Sequence, residues 1–265
     1  PYYYNFNSGY WTSYSGSEFS VRVNEKNFPD EIFRNWLLSQ SYGKDGRISE
    51  SEIASVTEID VSTKNIQSLK GIEFFTALKT LYCSQNQLSS LNVSKNTALE
   101  SLSCFSNQLI ELNVTGCKKL WWLQCPRNQL TSLDVSGCTA LKTLDCENNQ
   151  LTALNVSGCT ALTELECDQN QIRGAGMDAL IKSLPTVSNG KMNVIYFYEE
   201  YNVMTIMQVE AAKAKGWTAY RYNNGWVEYA GSEPVTGIEI DASNFPDEKF
   251  RSWLLTQSYG KDAIL

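Results

Sequence analysis

From Leu78 onward the chain repeats itself every 21 residues. Units open at Leu78, Leu99, Leu120, Leu141 and Leu162, each spelling L-x-x-L-x-C-x-x-N-Q-L/I. A looser unit opens at Val56. No unit of this length can bury its own leucines, so the units must stack and share one continuous core. The pattern therefore predicts a solenoid over residues 56–184.

The cysteines obey the same period. Cys83, Cys104, Cys125, Cys146 and Cys167 form one series and Cys117, Cys138 and Cys159 a second. There is no C-x-x-C pair, and the chain contains no histidine, so zinc ligation and redox pairing are disfavoured. The expected role is two ladders of small buried side chains. A column of asparagines, Asn65, Asn86, Asn107, Asn128, Asn149 and Asn170, is expected to satisfy backbone groups at the bends. The L-N/D-V-S/T stretches are read as the return side. Their sequons at Asn92, Asn113 and Asn155 are read as turns first.

Composition narrows the function. A formal charge of −7 opposes nucleic-acid binding, which needs a cationic surface. Hydrophobic content of 42% and charged content of 19% are globular values, and no apolar run is long enough for a membrane helix. Lack of histidine removes the usual general base. No leader-like segment stands at Pro1, so any signal peptide is expected to be already removed.

The L-x-x-L-x-C-x-x-N-Q-L units resemble the leucine-rich repeat family, with Cys where a third Leu is usual, and the style is that of secreted or surface bacterial internalin-like proteins. The resemblance implies an α/β fold: a leucine-rich repeat solenoid with a parallel concave sheet. Within each strand side chains alternate, so Leu81 and Cys83 point inward and their neighbours outward. The outward rows read Thr80, Ser101, Trp122, Thr143, Glu164; then Tyr82, Ser103, Gln124, Asp145, Glu166; then Ser84, Phe105, Pro126, Glu147, Asp168. Trp121 and Arg127 lie just beside them. From these rows the candidate ligand-binding face is Tyr82, Phe105, Trp121, Trp122, Gln124, Arg127, Asp145, Glu147, Glu164, Glu166 and Asp168. Grouped aromatics mark interface hot spots, and the acids would favour a cationic partner.

Caps should close the stack. Over residues 19–55 the expectation is a helix–loop–helix N-terminal cap, with Pro29 at a first helical position and Phe33, Trp36 and Leu37 on one face. Its loop, residues 41–52, is EF-hand-like, with Asp45 and Glu52 as weak calcium candidates, because Ser41 and Gly43 stand where two ligands belong. Over residues 185–233 a strand–helix–strand–strand segment is expected to close the far end. Its helix carries a capping box from Thr205 to Gln208, and its last two strands turn at Asn223-Asn224-Gly225.

The beginning of the chain recurs at its end. Aligning Asn27 with Asn244 gives 16 identities in 22 columns, and W-x-x-Y-x-G-S-E occurs at both Trp11 and Trp226. Residues 1–18 thus echo the end of a preceding module, and residues 234–265 form a linker plus the start of a second cap. Tyr3, Tyr4, Tyr10, Trp11, Phe245, Phe250, Trp253 and Leu254 are the candidate assembly-junction residues. Together these readings predict a non-catalytic, cofactor-free extracellular or cell-surface bacterial module that binds a protein or glycan. The alternative is a segment of a head-to-tail tandem array or filament.

Overall fold

The computed structural model describes residues 2–5, 10–13, 19–196, 201–232 and 247–256. Its centre is one nine-stranded sheet. The repeats supply β5 (Glu58–Asp60), β6 (Thr80–Tyr82), β8 (Ser101–Ser103), β10 (Trp122–Gln124), β11 (Thr143–Asp145) and β12 (Glu164–Glu166). These pair in parallel with no slip in register, so Leu81, Leu102, Leu123, Leu144 and Leu165 align across the sheet. The return side carries β7 (Ser90–Asn92) and β9 (Glu111–Asn113), paired in parallel. In its turns the Asn92, Asn113, Asp134 and Asn155 side chains each accept from the amide two residues on, at 2.9–3.0 Å. Three of these four are the sequon asparagines, engaged as turn residues.

The core follows the repeat register. All eight cysteines are free and buried, as are the consensus leucines. Burial raises the thiol pKa of each, to about 11 for Cys117 and Cys159 and about 12 for Cys138, where the neighbouring Cys117 and Cys159 add to the effect. The ladders are packing, held as neutral thiols.

The asparagine ladder departs from its sequence reading at both ends. Asn107 donates from Nδ2 to the carbonyl of Cys104 in its own rung and of Cys83 in the preceding one, and its Oδ1 accepts from Leu88 N. Asn128, Asn149 and Asn170 repeat this clamp, and Asn86 begins it. Asn65 is not a member. The first unit is one residue longer, so Lys64 falls at the clamp position, and Asn65 is exposed in a left-handed conformation at φ 60°. Asn202 extends the ladder instead, donating to Cys167 O at 2.7 Å and Val194 O at 3.0 Å and accepting from Ile172 N.

At the N-terminal side, β3 (Ser20–Arg22) pairs antiparallel with β4 (Arg47–Ser49), flanked by α1 (Glu31–Ser39) and α2 (Glu50–Ser55). Pro29 precedes α1 rather than opening it, because Asp30 is the N-cap, its Oδ1 accepting from Phe33 N. The second oxygen of Asp30 accepts from Gln67 N and Ser68 N, tying this cap to the first repeat. Phe28, Phe33 and Leu37 are buried beneath it.

Beyond the repeats, α3 (Ala175–Ser183) leads to β13 (Gly190–Tyr196), then α4 (Ile206–Ala214), β14 (Trp217–Tyr222) and β15 (Trp226–Glu228). β13 and β14 continue the parallel sheet and β15 closes it antiparallel. The Thr205–Gln208 capping box opens α4. Buried Trp217 anchors the segment, its indole N–H donating to Pro185 O at 2.8 Å. β1 (Tyr2–Asn5) pairs antiparallel with β2 (Tyr10–Ser13), and helix α5 (Glu248–Thr256) lies in the stretch that repeats the sequence of α1.

Candidate functional site

Strand register places the open-face side chains in columns. One runs Asp60, Tyr82, Ser103, Gln124, Asp145, Glu166, Asn193, Tyr220, Glu228. Its neighbour runs Glu58, Thr80, Ser101, Trp122, Thr143, Glu164, Lys191, Thr218. Adjacent strands are about 4.8 Å apart, so column neighbours can touch. Tyr82, Phe105, Trp122 and Gln124 are half-buried on this face, grouped over three successive rungs. Ser101 and Ser103 lie in those same columns and are buried among the larger side chains.

Trp121 is 44% exposed. With Glu100, Lys118, Lys119, Ala140 and Lys142 it lines a shallow hollow of about 420 Å³ at the strand entrance. Arg127 is exposed with its Nε 3.9 Å from Glu147, a separation that contributes little to stability at an exposed site.

The third outward row does not face solvent as expected. Ser84 and Pro126 are buried and Asp168 has no exposed surface. The residues that follow, Gln85, Ser106, Arg127, Asn148 and Gln169, all take positive φ of 52–55° or, for Asn148, 50°. That bend folds the row into the turn, and only Phe105 and Glu147 remain half-exposed.

The acids gather on two rungs. Asp145, Glu147 and Glu166 each offer a carboxylate oxygen, and these oxygens lie within 4.8 Å of one another. Burial, with Glu166 beside it, pushes the Asp145 carboxyl up to about 8. Burial and Glu147 push Asp168 up to about 7, and burial and Glu147 also raise Glu166. Glu164 is exposed and accepts from the Thr143 hydroxyl at 3.2 Å.

The other candidates separate. Asp45 accepts from Arg47 N, and Glu52 closes a capping box on Ser49, so both are engaged in the cap's own turns. Among the described residues neither joins a metal-ligating group. Tyr3, Tyr4, Tyr10 and Trp11 lie on the β1–β2 hairpin, and Leu254 on α5. Phe250 and Trp253 on α5 are about half exposed and stacked, with centroids 5.8 Å apart. Phe245 lies outside the described residues. Sequence reading missed Lys191, Asn193 and Tyr220 as face residues. Their strands are recognisable by alternation, but the 21-residue period that would give their register ends before them.

The family model of the endo-beta-N-acetylglucosaminidase EndoS LRR domain matches residues 28–170, more than half of the chain. No curated protein matches. Among solved structures, the functional domain of InlJ from Listeria monocytogenes, which includes a cysteine ladder, is 28% identical with a TM-score of 0.58. That match covers 77% of this chain and 47% of InlJ's, so this chain spans about half the length of that relative. The LRR protein LIC12759 of Leptospira interrogans shares the fold at 20% identity and a TM-score of 0.52, over 64% of this chain and 44% of its own. The chain belongs to the EndoS-type leucine-rich repeat family, and it is a bacterial LRR protein of internalin-like architecture.

Proposed function

We propose that this chain is an extracellular, non-catalytic binding module whose open sheet face grips a protein partner through Tyr82, Phe105 and Trp122. The observation that carries this reading is the partial exposure of those three aromatics on successive rungs, beside an acidic field. Aromatic anchors dominate interface energetics, and flanking acids select a partner presenting Lys or Arg. The repeats supply a rigid platform, which spares the entropy of ordering a loop.

The test is adhesion of the fluorescently labelled chain to human and bacterial cells, together with a glycan array. Binding to cells that falls at least tenfold in a Trp122→Ala, Tyr82→Ala double variant with an unchanged circular dichroism spectrum supports the reading. Undiminished binding by that variant, or wild-type binding confined to glycans, overturns it.

One observation favours a second reading, a segment of a tandem array. Asp247 accepts from Phe250 N at 2.7 Å, reproducing the Asp30 cap on Phe33 N, yet Phe33 is buried beneath its cap while Phe250 is 48% exposed. A following repeat stack would cover Phe250 as the first stack covers Phe33. Light scattering over a concentration series, with and without residues 244–265, tests it; association lost on their removal is the supporting result.

A further inference from the structure

We propose that Asp145, Glu147, Glu166 and Asp168, at the boundary between β11 and β12, form a binding site for a hard divalent cation of the calcium class. Asp145 and Glu166 continue the column that holds Tyr82 and Gln124, so the site adjoins the aromatic group, and it stands whether or not those aromatics bind a partner.

Two independent observations support it. The first is convergence. Three carboxylate oxygens from two adjacent rungs lie within 4.8 Å of one another. Calcium–oxygen distances of about 2.3–2.6 Å place two ligands on opposite sides of the ion at roughly that separation. The parallel pairing of Asp145 with Glu166 fixes two of the carboxylates on adjacent strands, while Glu147 and Asp168 follow in the turns just beyond them.

The second is Asp168. It is wholly buried, and its Oδ1 has no hydrogen-bond partner. Its other oxygen accepts from Gln169 Nε2 at 3.3 Å. Asp168 stands one rung on from Glu147 and two residues on from Glu166; after burial, both of those carboxylates raise its pKa, and Asp168 in turn adds to the raised pKa of Asp145. A buried carboxylate with an orphaned oxygen needs a counter-charge or a proton, and a cation held by the neighbouring carboxylates would supply the first.

The surroundings offer little counter-charge beyond Lys191, which lines the adjoining hollow. Among the described residues no Lys or Arg forms an ion pair with Asp145, Glu166 or Asp168, and Arg127 reaches only Glu147, at 3.9 Å. A hollow of about 180 Å³ lined by Glu164, Leu165, Glu166, Lys191 and Asn193 opens beside the cluster, giving room for waters to complete the shell. The donors are all oxygen, which selects a hard cation over zinc. Their irregular arrangement over two rungs suits calcium's flexible shell of six to eight ligands better than magnesium's octahedron.

The test is isothermal titration of the EGTA-treated full chain with calcium chloride, repeated with magnesium chloride, and a thermal melt in each. Saturable binding of one calcium per chain, with a raised Tm, is expected. Asp145→Asn with Glu166→Gln should weaken it at least tenfold, and Asp168→Asn should weaken it on its own; these near-isosteric amides remove charge without emptying the site. Asp45→Asn should leave it unchanged, which separates this cluster from the N-terminal cap loop. Absence of saturable binding at millimolar calcium, equal binding by the folded double variant, or tighter binding of magnesium overturns the proposal.

Discussion

Asn128 Nδ2 lies 3.1 Å from the carbonyl oxygen of Cys104, one rung before its own, and 3.0 Å from that of Cys125. One amide thus bridges two repeats at the point where each leaves the sheet, while its oxygen receives Leu109 N. Every rung is joined to its neighbour by side-chain hydrogen bonds as well as by apolar contact.

Asn128→Ala should therefore destabilise the chain by about 3–5 kcal/mol, since it strands several buried backbone groups at once. Asn65→Ala, at an exposed position outside the ladder, should change stability by no more than about 0.5 kcal/mol. Urea denaturation of the two variants checks the contrast.

Asp30 serves both as the N-cap of α1 and as the acceptor for Gln67 N and Ser68 N. Asp30→Ala should cost about 2–3 kcal/mol, more than the ~1 kcal/mol of an ordinary cap, because it also frees the first repeat. Asp30→Asn should recover part of that. Hydrogen exchange at Phe33, Gln67 and Ser68 reports the loss at each amide.

The cysteine ladders predict both reactivity and pH dependence. No thiol should react with Ellman's reagent in the native chain, and all eight should react in denaturant. The folded thiol pKa values are raised, to about 11 at Cys117 and Cys159 and about 12 at Cys138, by burial. A raised folded value means the stabilising contribution is complete below the unfolded value of 9.0 and is lost as pH climbs from there toward 11–12. Each such thiol should cost about 1.4 kcal/mol per pH unit in that window. Denaturation midpoints should fall steeply above pH 9, beyond the range in which the raised carboxyls of Asp145 and Asp168 titrate.

Gly216 takes φ +82°, and a Cβ there would fall 1.7 Å from Val187 O. Gly216→Ala should destabilise the closing segment by at least about 1–2 kcal/mol, since both strain and clash oppose it. Gly225, also at positive φ but with open space around it, should suffer only the strain. Thermal melts of the two alanine variants rank them.

The 21-residue period by itself determined the solenoid, the strand positions, the inward leucines and the packing role of all eight cysteines. A strict repeat transmits one rung's environment to every other, so local spelling suffices there. What lay outside the period needed the tertiary structure. Asn202 enters the ladder from a segment with no repeat motif, and Asn65 leaves it because one extra residue shifts its unit. The open face was legible as alternation, yet the left-handed turn after each strand folds Asp168 inward, and alternation carries no information about such a turn. The convergence of Asp145, Glu147 and Glu166 depends on the stacking of two rungs. Carboxylates 21 residues apart in sequence become neighbours only when parallel pairing sets the rungs about 4.8 Å apart.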